Sequence, residues 1–277
     1  MKRRMTGTAL LLLVIFFALL CGKDVGMVWL LALGGMGAQV EFQNFLKQSG
    51  TDMLRAHTLM WTAVIILGSW YLPPLQSGVW LFAIACIAIA SHCISLGQPQ
   101  KIILPFVPSL LALIYVPFAL QFGSLIMRSA VDSMEGLLLL LWVICICKFG
   151  DVGAFFVGTA IGRHKMLKNF SPQKTWEGFV GGMLASIGMG ALLKIFALKK
   201  SLPLAMGWEH CIALSLLIGI VATMGDLFES AIKRVAHTKD SGKCIPGIGG
   251  YLDFFDSLIF ALPTAHVFFT WTNIFPQ

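Results

Sequence analysis

Cys211-Ile-Ala-Leu-Ser-Leu-Leu-Ile-Gly-Ile-Val-Ala-Thr-Met224 carries no charged side chain, and Asp226 stands just behind it. A run of this kind is stable in hydrocarbon only as a helix, because lipid offers backbone N–H and C=O groups no partners. With its flanks it makes a span over 208–228, and comparable runs recur along the chain. Spans are expected near 7–22, 25–41, 58–75, 78–97, 103–125, 136–149, 176–198, 208–228 and 253–275, about nine in all. Hydrophobic residues make up 57% and charged residues 12%, with mean hydropathy +0.84. A soluble domain carries about 25% charged residues, so the fold class is all-α, a polytopic integral membrane protein. One membrane domain over 1–277 is expected, with N-terminal spans in 1–135 and the charged motifs in 136–277.

The amino terminus needs a separate test. Lys2, Arg3 and Arg4 followed by the run from Thr8 to Cys21 have the look of a secretory signal. No small-x-small site follows, and Leu20 stands where a lipoprotein-type site at Cys21 would need a small residue. The segment is therefore expected to remain as the first span, turning at Gly22-Lys23-Asp24. The short span at 136–149 is followed by apolar Gly150 to Gly162, which either extends it, breaks it or forms a half-helix.

With the amino terminus in the cytoplasm, 15 of the 20 Lys and Arg residues fall on the cytoplasmic side, leaving Lys23, Arg128, Lys194, Lys199 and Lys200 opposite. This satisfies the positive-inside rule. The two charge-rich loops then share the cytoplasmic face.

Several features carry less chemistry. Glu41 to His57 is polar with helical spacing and is expected to lie along the interface as an amphipathic connector. Pro73-Pro74, Pro105, Pro108 and Pro117 mark turns and kinks, and Gly34-Gly35-Met36-Gly37 permits close helix packing. The seven cysteines lie mostly in apolar runs without CxxC spacing, as small buried hydrophobes do.

The charge that this chain does carry is concentrated. Ser230 to Ser257 holds four cations, three carboxylates and four glycines. Asp226 and Glu229 are three apart, Lys233 follows four later, and Asp253 and Asp256 are again three apart at the start of the next span, so each helix presents two acids on one face. Brought together by a hairpin, these oxygens suit a hard divalent cation. A solvated ion network with Lys233, Arg234, Lys239 and Lys243 is the bland alternative, weakened because acids at membrane depth are costly unless used. The loop Pro246-Gly-Ile-Gly249-Gly250 frees backbone N–H groups to meet phosphate, with the amino end of the following helix adding its dipole. Upstream, Ser171-Pro172 reads as a helix-entry turn, placing Lys174, Thr175 and Glu177 in the first helical turn. Arg163 to Lys168 suits either a basic collar on anionic lipid or a phosphate contact.

Lys233-Arg234, Lys239-Asp240-x-Gly242 and Pro246-Gly-x-Gly249-Gly250-x-x-Asp253-x-x-Asp256-Ser257 resemble the signature of the phosphatidate cytidylyltransferase family, also called CDP-diacylglycerol synthases. Ser171-Pro-x-Lys174-Thr175-Trp-Glu-Gly178 with Gly181-Gly182, and Asp151-x-Gly-Ala before it, are similar to that family's upstream motifs. The chain departs from it at Ile248 and Phe254, where the family usually has His and Arg. The resemblance implies transfer of a cytidylyl group from CTP to phosphatidate, with Mg²⁺, or Mn²⁺ in its place, and room for a second, monovalent cation. It implies Asp226 and Asp253 as metal ligands supported by Asp256 and Glu229. Lys233, Arg234, Lys239 and Lys174 would bind phosphates, Asp240 would orient Lys239 or meet the nucleotide, and Asp151, Ser171, Thr175, Gly249 and Gly250 would line the substrate site. Membrane lipids and a homodimer are compatible partners, no nucleic acid is expected, and the resemblance implies a bacterial inner membrane as the location. An ion-coupled transporter is the leading alternative, disfavoured by the absence of an internal hydropathy repeat, and a CTP-dependent lipid kinase is the other.

Overall fold

Apolar stretches that must satisfy their own backbone dominate the chain, and helices result. The computed structural model describes residue 22 and residues 24–73, 77–97, 102–167, 171–199, 206–236, 238, 241–242 and 249–274. Among them, α1 is Asp24–Gln48, α2 Arg55–Tyr71, α3 Ser77–Ser95 and α4 Ile103–Leu113; a π-helical turn, Ile114–Phe118, leads into α5, Ala119–Ser129. Then come α6, Ser133–Ile161, strands β1, Lys165–Leu167, and β2, Ser171–Thr175, and helices α7, Trp176–Lys199, α8, Trp208–Val235, and α9, Tyr251–Trp271. Seven helices among the described residues are long and apolar enough to cross a membrane, with α4, the π turn and α5 counting as one, and α2 adds 17 residues. The all-α membrane architecture stands. The first expected span falls outside the described residues except for Gly22.

The helices form two compact units. The first comprises Met1–Leu125 and Ile232–Phe255, the second Ile126–Ala231 and Asp256–Gln277. In the first, α1 packs on α2 and α2 on α3. The glycine cluster serves this: a methyl at Gly34 would come 2.7 Å from the Phe255 ring, one at Gly35 2.9 Å from Ile66, and one at Gly37 2.5 Å from Tyr251. The expected interfacial connector is corrected here. α1 runs unbroken to Gln48, and Glu41 and Gln43 are buried. Gln43 Nε2 donates to Thr58 Oγ1 at 2.9 Å and to the Arg55 carbonyl at 3.1 Å, and Glu41 Oε2 accepts the Leu252 N–H at 2.8 Å, so both side chains have partners inside the protein in place of water. Pro117 sits within the π turn, where its missing N–H interrupts the helical ladder.

In the second unit α6 is one helix of 29 residues, so Gly150 to Ile161 extends the short span. It lies along α7 by a seam of small residues: a methyl at Gly182 would meet the Ala154 Cβ and the Gly150 carbonyl, each at 3.0 Å, and Gly178 approaches Gly158 as closely. Without a hydrophobic drive between helices in lipid, such close backbone approach is what holds them.

Candidate active site

Three acids meet in the second unit. Asp226 and Glu229, one turn apart on α8, and Asp256, on α9, present oxygen atoms all within 4.8 Å of one another. Glu229 and Asp256 are buried. Gly225 is what lets the two backbones close, since any side-chain carbon there would run into the Asp256 carbonyl. Oxygens that share one Mg²⁺ at about 2.1 Å stand about 3–4 Å apart, so this donor set fits a hard divalent cation in type and spacing.

Two ammonium groups attend the acids. Lys174 Nζ lies 2.5 Å from Asp226 Oδ2. Lys148, on α6, donates to Ser257 Oγ at 2.9 Å and stands 3.6 Å from Asp151 and 3.9 Å from Asp256. Ser257 also reaches Asp151 at 3.4 Å, and its backbone N–H donates to Asp256 at 2.5 Å. Lys174 is thus paired with Asp226, and Lys148 stands between Asp151 and Asp256.

A cavity of about 770 Å³ opens beside them. Asp151, Lys174, Asp226 and Ser230 are among its polar lining, and Ala154, Phe155 and Phe179 among its apolar lining. The hairpin of β1 and β2 walls it with Lys165, Ser171 and Gln173. Here the expected helix-entry turn is corrected: Ser171–Thr175 is a strand, antiparallel to Lys165–Leu167, with Lys165 opposite Thr175. Helix α7 starts only at Trp176, where Thr175 Oγ1 accepts the Gly178 N–H at 3.1 Å as its N-cap. The hairpin is tied down by Glu177, whose carboxylate accepts the N–H groups of Arg163 and His164 at 3.1 and 3.2 Å and meets His164 Nδ1 at 2.5 Å.

Asp253 belongs to the first unit. Its carboxylate pairs with Lys233, accepts Ser241 Oγ at 3.1 Å, and accepts the Gly250 N–H at 2.5 Å. That last bond is half of a capping box, the side chain at the third helical position reaching back to the residue that opens the helix. Gly249 has φ 125°, a conformation only glycine adopts without strain. The Gly250 N–H and, through Glu41 Oε2 at 2.8 Å, the Leu252 N–H are therefore taken by protein carboxylates. The amino end of α9, expected to help cradle phosphate, thus attracts two carboxylates of the protein, and residues 243–248 of the loop before it lie outside the described residues.

Of the predicted residues, Asp226, Glu229, Asp256, Asp151 and Lys174 gather in one unit, with Ser171 and Thr175 on the cavity wall. Lys233, Asp253, Gly249 and Gly250 gather in the other. Arg234 is exposed at the last turn of α8, Phe254 is buried against the Phe255 ring, and Lys239, Asp240 and Ile248 lie outside the described residues. Lys148 escaped sequence reasoning except as a charge for topology. Its signal was a cation amid the apolar run 136–162 with an acid three residues on, a pairing that membrane depth makes expensive without purpose.

Residues 2–272 match the sequence profile of the Cytidylyltransferase family. A phosphatidate cytidylyltransferase of Bacillus subtilis is 42% identical over 113 residues, 41% of this chain and 40% of its own length. Proteins of the same name from Staphylococcus epidermidis and Staphylococcus aureus are 38% and 37% identical over 133 residues, 48% of this chain and 49% of theirs. The chain thus matches about half the length of these relatives or less.

Proposed function

The chain belongs to the cytidylyltransferase family, and we propose that it transfers the cytidylyl group of CTP to phosphatidate, giving CDP-diacylglycerol and pyrophosphate. The observation that carries this reading is the meeting of Asp226, Glu229 and Asp256 beside Lys174, in a membrane protein where Asp226 and Lys174 line a cavity. The relatives' name supplies the substrates.

The reaction joins two polyanions. A phosphate oxygen of phosphatidate attacks the α-phosphorus of CTP, and the bond from that phosphorus to the bridging oxygen of the β-phosphate breaks. No enzyme nucleophile is needed, and a phosphate monoester is already largely ionised near neutral pH, so the demand on the protein is electrostatic. Asp226, Glu229 and Asp256 would hold Mg²⁺, whose contribution when bound is to draw charge from the phosphate oxygens. Asp253 enters as a ligand through the signature that it shares with Asp256, three residues on in the same helix. Lys174 and Lys233 are held by acids in readiness for phosphate, and Arg234, Lys239 and Asp240 belong to the same group by signature. Lys148 and Ser257 hold Asp151 and Asp256 in place. The apolar lining of the cavity, with Phe155 and Phe179, suits the glycerol and upper acyl chains of a lipid entering sideways from the bilayer. The site faces the cytoplasm of a bacterial inner membrane, where CTP is made.

Purified protein in lipid is expected to convert labelled CTP and phosphatidate to a CDP-lipid with Mg²⁺ or Mn²⁺ and not after chelation. Asp226→Asn and Asp253→Asn should each lower turnover at least about 100-fold, the scale of losing a preorganised charge contact. Undiminished turnover in either, with normal folding, removes that ligand. ATP, GTP and dCTP as competitors read nucleotide choice.

A further inference from the structure

Glu41 has no part in the motifs above, yet it is a buried acid of the first unit. It is 6% exposed on a membrane-spanning helix, where an acid is costly without a specific role. Its Oε2 accepts the backbone N–H of Leu252, 211 residues away in sequence, at 2.8 Å. Glycines close around the carboxylate: a methyl at Gly250 would stand 2.6 Å from Glu41 Cδ, and one at Gly242 3.0 Å from the same atom. Along the same face of α1, Gly34 and Gly37 receive Phe255 and Tyr251. The contacts descend α9 as they ascend α1 and end with Glu41 at the helix opening.

Gly250 links this acid to the next one. It lies against Glu41 and donates its N–H to Asp253, whose other partners are Ser241 and Lys233. A charged acceptor makes a stronger bond to the first-turn N–H groups of a helix than a neutral one does. Moving Glu41 therefore moves Gly250 and the first turn of α9, and with them Asp253 and its lysine.

We propose that Glu41 is a positioning residue for Asp253: it fixes the opening of α9 so that the Asp253 carboxylate and Lys233 are held in working geometry. This rests on the cytidylyl-transfer reading given above. A small displacement of a reacting group costs rate more than it costs stability, so the two kinds of role separate experimentally.

The test compares the parent protein with Glu41→Ala and Glu41→Gln, whose side-chain oxygen can still accept the Leu252 N–H. Three quantities are read: the thermal midpoint, steady-state kcat and KM for CTP and phosphatidate, and hydrogen exchange in a peptide covering residues 249–255. Glu41→Ala is expected to lower kcat at least about tenfold with KM changed less than about twofold, and to speed exchange in that peptide. Glu41→Gln should recover kcat to within about threefold of the parent, with slow exchange. Should Glu41→Ala fail to fold, Glu41→Asp, which draws the carboxylate back by one methylene, is expected to show the same kcat loss and faster exchange. The proposal is overturned by parental kcat in the alanine or aspartate variant, or by equal losses in the glutamine and alanine variants that follow the folded fraction alone. A parent without cytidylyl transfer would instead defeat the reaction assigned above, and unchanged exchange in Glu41→Ala would then defeat the positioning contact as well.

Discussion

Lys148 shows how much a single residue can organise in this protein. It sits in an apolar helix and touches Ser257 while standing within ion-pair distance of Asp151 and Asp256. Removing one partner of such a group leaves a carboxylate uncompensated where solvent is scarce. Lys148→Met should therefore lower the thermal midpoint, and adding Asp256→Asn should make the double variant less impaired than the two single losses predict. A double-mutant cycle in detergent is expected to show coupling of about 0.5–3 kcal/mol, and strict additivity would mean that the two side chains do not act together. Thr175 teaches a related lesson. Its hydroxyl was expected among substrate contacts, but it caps α7, so its first duty is to open the helix whose preceding strand carries Lys174.

Among the elements, the pair α6 and α7 matters most to the site. Small residues at Gly150, Gly153, Ala154 and Gly158 face Gly178, Gly181 and Gly182, and that close approach lets Asp151 and the β1–β2 hairpin line one cavity. Gly182→Val would force side-chain carbons against Ala154 and the Gly150 carbonyl, both already 3.0 Å from a first carbon. Overpacking of this kind costs about 1–3 kcal/mol, so a lower thermal midpoint is expected together with loss of the proposed cytidylyl transfer. A midpoint equal to the parent's would show that the seam has slack. The hairpin could not be read from Lys165 to Thr175, because strand pairing depends on a partner several residues away, whereas Ser-Pro before an apolar run is a local signal for a helix start. Glu177 supplies the missing information by holding the Arg163 and His164 N–H groups.

For the molecule as a whole, the cations are distributed unequally, 15 of 20 falling on one side of the expected spans. Phosphatase reporter fusions in a bacterial host test this directly. A fusion after Arg163 is expected to be inactive, as in the cytoplasm, and one after Lys199 active; the reverse pattern would invert the orientation and move the proposed site away from CTP. Family membership spans residues 2–272, while the alignments to individual relatives cover 113 and 133 residues.

Membrane residence, the helical class and the identity of most charged residues at the site were legible in the chain, because apolar length and acids three apart on a helix are local quantities that need no partner to be recognised. Long-range relations were not. That Asp256 joins Asp226 and Glu229, that Lys148 serves Asp151 and Ser257, and that Glu41 caps a helix 211 residues away depend on which helix backbones approach each other. That approach is set by glycines such as Gly225, Gly242 and Gly250, whose missing side chains leave no pattern in a hydropathy profile and acquire meaning only beside the atoms that occupy the space.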